Sequence, residues 1–307
     1  GKYTEKEITH AVRIIVYAKK LNGGSNCLCP QAIVIPKDWE QKDQFRKALY
    51  DELKRQPNQP VYYPGSTERA QEMVKAYKSH GESRATVVEC TKTIGFVNRH
   101  CDNVAVVECG SPNDTDYENM ALRSEAFGPV LAIVELSNDG NKSEDYLNTV
   151  AVPFLNNKEN IFGSLSCILF APASFDPKKV SIAVESLEYG TIALNTPNLI
   201  GWIAASAGAF WGAHPSAPGR ESGAGLCGNQ FKVSSPAKTV VQGPSLATAP
   251  AFDGAKPPPK LILDALSTMD CSNSTLVGIL RIQYLLFVSF LNVIMSPFIP
   301  ADTMKLD

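Results

Sequence analysis

Val130-Leu131-Ala132-Ile133-Val134-Glu135-Leu136 is the stretch that decides the fold, because six of its seven residues are apolar. A nearly continuous apolar run of this length is typical of a strand buried on both faces of a sheet. Shorter runs of the same kind lie on either side of it, at 32–35, 85–88, 104–108, 165–170 and 191–194. The sequence therefore predicts a sheet of several buried strands.

Helical patterns alternate with these strands. They cover 8–21, 39–55, 66–80, 143–150 and 177–187. Ser66 is expected to cap the third helix, and the fourth is expected to end before Pro153, since proline cannot continue a helix interior. The alternation predicts the α/β class, with an open, twisted, mostly parallel sheet and helices on both of its faces.

Composition excludes several classes of protein. The 307 residues are 44% hydrophobic and 20% charged, which argues against wholesale disorder. A balance of 29 basic against 31 acidic residues gives a net charge of -2, so no nucleic-acid partner is expected. The eight cysteines are scattered, and no histidine cluster accompanies them at zinc-binding spacing. We therefore expect reduced thiols, no metal, and a cytoplasmic or other reducing compartment.

The turn Asn22-Gly23-Gly24-Ser25-Asn26-Cys27 joins the end of a helix to a buried strand. Glycines let the backbone approach a ligand closely, and amide groups in such a turn can stabilise a developing oxyanion. A thiol in this position is a candidate nucleophile, because cysteine needs little activation near neutral pH. The alternative interpretation is a free cysteine that fills space at the turn.

A second segment, Ser124-Glu125-Ala126-Phe127-Gly128-Pro129-Val130, leads directly into the central strand. Glu125 and Phe127 are two residues apart, so they project to the same side of an extended chain. The carboxylate can bind a ribose hydroxyl while the ring packs against a planar group. The alternative places Phe127 in the core and leaves Glu125 as a solvated acid.

Glycine and proline residues crowd the segment 211–225, which predicts an irregular loop at the rim of a substrate funnel. It does not follow the strand-to-helix pattern of a phosphate loop. His214 lies in this loop without an evident partner in the sequence, so we interpret it as a surface histidine.

Taken together, these segments resemble the aldehyde dehydrogenases. Asn22-x-Gly24-x-x-Cys27 resembles the N-x-G-Q-x-C nucleophile motif, with Ser25 where glutamine is usual, and the stretch from Glu125 to Val130 resembles E-x-F-G-P-V in full. The resemblance covers about residues 1–245. Further matching segments follow in the family's order: 163–166, Gly190-Thr191 with Asn195, and 222–225. The residue sequences of 162–166, 211–213 and 238–241 are most similar to those of a bacterial-type branch of the family, which has a long C-terminal extension.

The resemblance implies roles for five residues. Cys27 would attack the carbonyl of a small-molecule aldehyde, passing through a thiohemiacetal and a thioester, and Asn22 and Gly24 would lie in the substrate and oxyanion neighbourhood. Glu125 would bind the nicotinamide ribose of NAD or NADP, and Phe127 would pack near the nicotinamide ring. Family members usually form dimers or tetramers, so the resemblance also implies a homo-oligomer.

The resemblance also implies a domain organisation. Residues 1–232 would form the catalytic domain, and 233–307 an extended tail followed by an apolar helix. The family's general-base glutamate and dinucleotide-binding domain precede the nucleophile by more than the 26 residues present. We therefore expect this chain to be part of a longer protein, and to be inactive and unable to bind NAD by itself.

Three further questions stay open. The uncharged run 282–301 fits a buried packing helix, a helix on a membrane surface, or a membrane span. An acyl-CoA or acyl-phosphate reductase would share the cysteine chemistry. The serine at Ser25 and the missing base also fit an inactive structural or assembly subunit, associated with a membrane through 282–301.

Overall fold

A computed structural model describes residues 2–93, 100–138, 145–216, 227–228 and 233–248. Its helices are α1 Glu5–Lys20, α2 Lys42–Arg55, α3 Ser66–Ser79, α4 Met120–Arg123, α5 Val152–Asn156, α6 Pro177–Ser186 and α7 Leu199–Ser206. Its strands are β1 Ala32–Pro36, β2 Ala85–Val88, β3 Val104–Gly110, β4 Val130–Leu136, β5 Ser166–Leu169, β6 Thr191–Leu194, β7 Phe210–Trp211, β8 Cys227–Gly228 and β9 Thr239–Gln242. The run 282–301 and the motif 222–225 lie outside the described residues.

The larger sheet has the strand order β1-β4-β3-β2. β4 pairs in parallel with both β1 and β3, and β2 is an antiparallel edge strand. Leu131 and Ile133 pack in a core with α1 and α2, whereas Ala132 and Val134 pack in a second core with α3. Side chains alternate between the two faces of a strand, so β4 is buried on both. The predicted α/β class, with a mostly parallel sheet and helices on both faces, is confirmed.

A smaller sheet has the order β5-β6-β9, with all three strands parallel. β9 lies in the segment that the sequence assigned to a tail after residue 232. It pairs with β6, and nearby Lys238 Nζ donates to the carbonyls of Val184, Glu185 and Leu187 at the end of α6. The start of the predicted tail is therefore tied to the smaller sheet, and the boundary at 232/233 stays a prediction.

Two local predictions about helices were wrong. Gly65, not Ser66, precedes the first residue of α3, and no side chain caps this helix. The helix around Pro153 does not end before it, because a π-helical turn over Leu147–Ala151 runs into α5 with Pro153 in its first turn. Proline is tolerated in a first helical turn, where its missing N–H is not needed.

None of the helices among the described residues combines the length and the apolar character that crossing a bilayer requires.

The beginning of α1 is tied to the segment after β5 through one carboxylate. Glu7 is 2% exposed and accepts hydrogen bonds from the Thr4 N–H at 2.8 Å and from the Ala173 N–H at 2.7 Å. Burial acts to raise the pKa of Glu7, but the hydrogen bonds from Ala173 and Thr4 outweigh it and hold this pKa below the ordinary value. The charged form of Glu7 therefore stabilises the fold.

We expect Glu7→Gln to lower the free energy of unfolding by about 1–3 kcal/mol at neutral pH, because charged acceptors make the stronger hydrogen bonds. The folded-state pKa is below the unfolded one, so this contribution is present above the ordinary value of 4.5 and is lost as the pH falls through the folded-state pKa. Urea unfolding at several acidic pH values should show that the free energy of unfolding falls less steeply with decreasing pH in the variant than in the wild type. Glu5→Gln, on the exposed side of the same helical turn, is the control. If the free energy of unfolding of Glu7→Gln depends on acidic pH as that of the wild type does, the charged form of Glu7 does not stabilise the fold.

Candidate active site

The turn that carries Cys27 follows directly on α1. A 3₁₀ turn over Leu21–Gly24 reverses the chain, with φ of 53° at Asn22, 62° at Gly23 and 80° at Gly24. The Asn26 side chain fixes the rest of the turn, since its amide donates to the Leu21 carbonyl at 2.8 Å and its oxygen accepts the Leu28 N–H at 2.9 Å. The turn presents Cys27 as an exposed thiol.

The turn packs directly against the segment that precedes β4. A Cβ atom placed on Gly24 would lie 2.4 Å from the Gly128 carbonyl oxygen, so only a glycine permits this approach. The Ser25 hydroxyl donates to the Phe127 carbonyl at 3.0 Å across the same junction. The two motifs that the sequence analysis identified, about 100 residues apart in the chain, are therefore in contact.

Phe127 adopts a left-handed backbone conformation, with φ of 46°. A left-handed phenylalanine is strained unless its surroundings hold it. The Ser66 hydroxyl donates to its carbonyl at 2.5 Å, Arg69 Nε donates to the preceding carbonyl of Ala126 at 2.8 Å, and the Tyr63 ring packs edge-on at 4.8 Å between centroids. These contacts fix the direction in which the half-buried Phe127 ring points.

Sequence reasoning missed Ser66, Arg69 and Tyr63 as neighbours of this site. The available signal was the pair of adjacent tyrosines, Tyr62 and Tyr63, in the proline-rich loop before α3. Both are at least half exposed, and exposed aromatic side chains often mark binding surfaces.

Glu125 lies near the thiol. One carboxylate oxygen accepts a hydrogen bond from Gln31 Nε2 at 2.9 Å, and the same Gln31 amide donates to the Cys29 carbonyl at 3.2 Å. Partial burial of its carboxyl raises the pKa of Glu125, while the charges of Lys19 and Arg69 oppose the shift. The side chain is exposed, so it can meet a ligand.

The Cys27 thiol is not activated by the described surroundings. Partial burial raises its pKa, its own backbone N–H opposes this, and the Glu125 charge raises the pKa further. A thiol with a raised pKa is mostly protonated at neutral pH, so its nucleophilicity should increase as the pH rises.

The sequence also led to predictions about the Phe127 ring, His214 and metal binding. Phe127 belongs to none of the buried core clusters of the described residues. His214 accepts a hydrogen bond from the Ser216 N–H at 3.2 Å, and burial and Lys238 lower its pKa. No group of three potential metal ligands occurs among the residues that the structure describes.

Ser66 is completely buried, and Arg69 Nη2 also donates to its hydroxyl, at 3.2 Å. We expect Ser66→Ala to destabilise the fold by about 1–2 kcal/mol, since Arg69 and the Phe127 carbonyl each lose a hydrogen-bond partner. Hydrogen exchange should accelerate at the amides of 125–128, where the left-handed turn loses support. Ser79→Ala, which removes an exposed hydroxyl at the other end of α3, should leave both readouts within about 0.5 kcal/mol of the wild type.

The described part of the chain is thus an α/β protein with an exposed thiol, a carboxylate and an aromatic ring gathered at one glycine-rich junction. Residues 4–233 match the model of the aldehyde dehydrogenase family. The chain belongs to the aldehyde dehydrogenase family. A comparison with curated proteins finds no match.

Solved structures similar to this chain include three dehydrogenases. The aldehyde dehydrogenase of Mycobacterium tuberculosis, complexed with NAD+, is 18% identical over 73% of this chain and 41% of its own, with a TM-score of 0.48. The NADP-dependent glyceraldehyde-3-phosphate dehydrogenase of Bacillus halodurans C-125, complexed with NADP, is 18% identical over 62% and 36%, with a TM-score of 0.45. A mutant aldehyde dehydrogenase C of Pseudomonas syringae, with NAD+ and octanal, is 18% identical over 62% and 36%, with a TM-score of 0.44. The chain thus spans about two fifths of the length of these proteins.

Proposed function

We propose that the full-length protein containing this chain oxidises an aldehyde to a carboxylic acid, with NAD or NADP as the oxidant. The observation that supports this most is the contact between the Cys27 turn and the Glu125–Phe127 segment, made through Gly24 and Gly128. The contact brings the exposed Cys27 thiol near the Glu125 carboxylate and the Phe127 ring, which supports a nucleophilic role for the thiol and a cofactor-binding role for the other two.

In this proposal the Cys27 sulfur, as its thiolate, forms a bond to the aldehyde carbon, and the carbonyl oxygen takes the negative charge. Backbone N–H groups of the turn, that of Cys27 among them, stabilise this oxyanion, with Asn22 and Gly24 beside it. Loss of hydride from the same carbon leaves a thioester on Cys27. Water then attacks the thioester, which releases the acid and returns the sulfur to its thiol form.

The residues present suit a nicotinamide cofactor. The exposed carboxylate of Glu125, held by Gln31, can accept hydrogen bonds from ribose hydroxyls, and the half-buried ring of Phe127 offers an apolar edge to a planar group. When bound, the cofactor would supply the hydride acceptor. The Ser25 and Ser66 hydroxyls hold the Phe127 carbonyl, so they position its ring.

The proposal also covers the domain organisation, the substrate, the oligomeric state and the compartment. Residues 1–232 would be the catalytic domain and 233–307 an appended segment, and the substrate would be a small-molecule aldehyde. The protein would form a homo-oligomer in a reducing compartment. Because no described side chain hydrogen-bonds to the Cys27 thiol, the base that activates it would come from residues outside the described part of the chain.

Trapping the covalent intermediate tests the proposal. The full-length protein is mixed with aldehydes and NAD or NADP, reduced cofactor is followed by its absorbance, and the reaction is quenched in acid for peptide mass spectrometry. We expect an acyl group on the peptide that contains Cys27 and none on Cys227, the other exposed cysteine among the described residues. Cofactor binding without any acyl adduct would favour the inactive subunit. Turnover that requires coenzyme A or phosphate would favour the acyl-transferring reductases.

A further inference from the structure

A buried lysine lies against a buried cysteine directly behind the Cys27 turn. Lys19, in the last turn of α1, is 0% exposed, and its Nζ lies 3.1 Å from Cys29 Sγ and 3.2 Å from the Pro30 carbonyl oxygen. Cys29 is 6% exposed. Buried ammonium groups are normally paired with a carboxylate, but Lys19 makes no direct ion pair in the described part of the chain, and its charge interacts with the Glu125 carboxylate only at longer range.

The neighbouring Lys20 is also buried, but its amine has different hydrogen-bond partners. Its Nζ donates to the carbonyls of Leu53 and Gln56, both at 2.5 Å, and it also forms a hydrogen bond with the Cys90 side chain. Lys20 thus has two carbonyl acceptors besides the Cys90 sulfur, whereas Lys19 has only one carbonyl besides the Cys29 sulfur. Thiols accept hydrogen bonds weakly, so Cys29 adds little to the stability of the buried Lys19. The proposed dehydrogenase chemistry uses neither Lys19 nor Cys29.

We propose that Lys19 and Cys29 form an oxidative modification site, at which hydrogen peroxide causes a covalent bond between Nζ and Sγ. In the first step the Cys29 thiolate attacks one peroxide oxygen and the O–O bond breaks. This step oxidises the sulfur by two electrons to a sulfenic acid and expels hydroxide, which takes up the proton that the thiol lost and becomes one water. In the second step the neutral Lys19 amine attacks the sulfur, the S–O bond breaks, and the hydroxyl leaves with an amine proton as a second water. The product is a sulfenamide link without added oxygen.

Burial and charge around Cys29 determine how the formation of the link depends on pH. Burial raises the pKa of the Cys29 thiol, and the Lys19 charge only partly opposes it. Both the thiol and the ammonium group must lose a proton, so the yield of the link should rise with pH. The link would connect the end of α1 to a residue two positions beyond Cys27, and thereby fix both ends of the candidate active-site turn.

Peptide mapping of the 307-residue chain tests the proposal. The folded protein is treated with hydrogen peroxide, digested with trypsin without reductant, and analysed by mass spectrometry. The expected product joins peptide 14–20 to peptide 21–37, at a mass two hydrogen atoms below their sum, because trypsin cleaves after Lys20 but not after a modified Lys19. Reduction with a thiol should separate the two peptides, since thiolates attack oxidised sulfur.

Matched variants locate the link. Lys19→Arg keeps the charge but removes the primary amine, so the joined peptides should disappear, whereas Lys20→Arg and Cys27→Ala should retain a link between residues 19 and 29. The wild-type measurement stands even where a variant fails to fold. A disulfide between Cys27 and Cys29, or Cys29 carried only to sulfinic acid while Lys19 stays free, would overturn the proposal. Unmodified Cys29 after complete oxidation of Cys27 would overturn it as well.

Discussion

Replacing Cys27 by alanine is expected to lower the rate of aldehyde oxidation by the full-length protein by about 10⁴-fold or more, while the fold is unaffected. Removing the nucleophile removes the covalent path, and losses of this size are typical when a nucleophile is deleted from a cooperating set of groups. Cys27 is exposed, so its loss should change the free energy of unfolding by no more than about 0.5 kcal/mol. Steady-state kinetics with NAD or NADP measures the rate, and urea unfolding measures the stability.

Cys227→Ala is the matched control, because Cys227 is also exposed. It should retain the wild-type rate. If Cys27→Ala keeps more than about a tenth of the wild-type rate, a loss too small for a deleted nucleophile, then Cys27 is not the nucleophile. The reaction would then use a different nucleophilic residue, or it would proceed without a covalent intermediate.

Gly24→Ala is expected to destabilise the fold by about 2–6 kcal/mol. Two costs combine: Gly24 has a φ of 80°, which strains any residue with a side chain, and the added Cβ would lie 2.4 Å from the Gly128 carbonyl oxygen. Backbone strain of this kind costs about 1–3 kcal/mol, and forcing apart packed groups costs about 1–3 kcal/mol more. The clash is with backbone, which cannot rotate away, so the nucleophile turn and the Phe127 segment should separate.

The control separates the two costs. Gly163 has a φ of 94°, but a Cβ there would meet nothing within 4 Å, so Gly163→Ala carries the strain without the clash. We expect it to lose about 1–2 kcal/mol. Urea unfolding of both variants gives the comparison. Equal losses at the two positions would show that the junction between the turn and Gly128 adjusts at no cost, and that it does not hold the site together.

The strands of the larger sheet were predictable because each is a contiguous apolar run. β2 and β4 have the predicted bounds, and β3 extends beyond them by two residues. The strands β7, β8 and β9 and the helix α7 were not predicted. β7 and β8 are two residues long, and β9 has one exposed face, so pairing with distant partners and not local pattern makes them strands.

Within the candidate site, the sequence identified the turn and the Glu125–Phe127 segment but not what joins them. Ser25 was interpreted from the sequence as a departure from the family motif that fits an inactive subunit. In the structure its hydroxyl bonds the Phe127 carbonyl, 102 positions along the chain, beside the hydroxyl of Ser66. The substitution therefore has a structural role, and it does not by itself favour an inactive protein.

The sequence by itself determined the α/β class, the central strand β4 and the residues of the two motifs, since these depend on patterns within short stretches of chain. Only the tertiary structure decided that Gly24 meets Gly128, that Ser66 supports Phe127 instead of capping a helix, and that Lys19 faces Cys29. Contacts of this kind depend on how close packing brings separate segments together. No local pattern of side chains encodes such a distance.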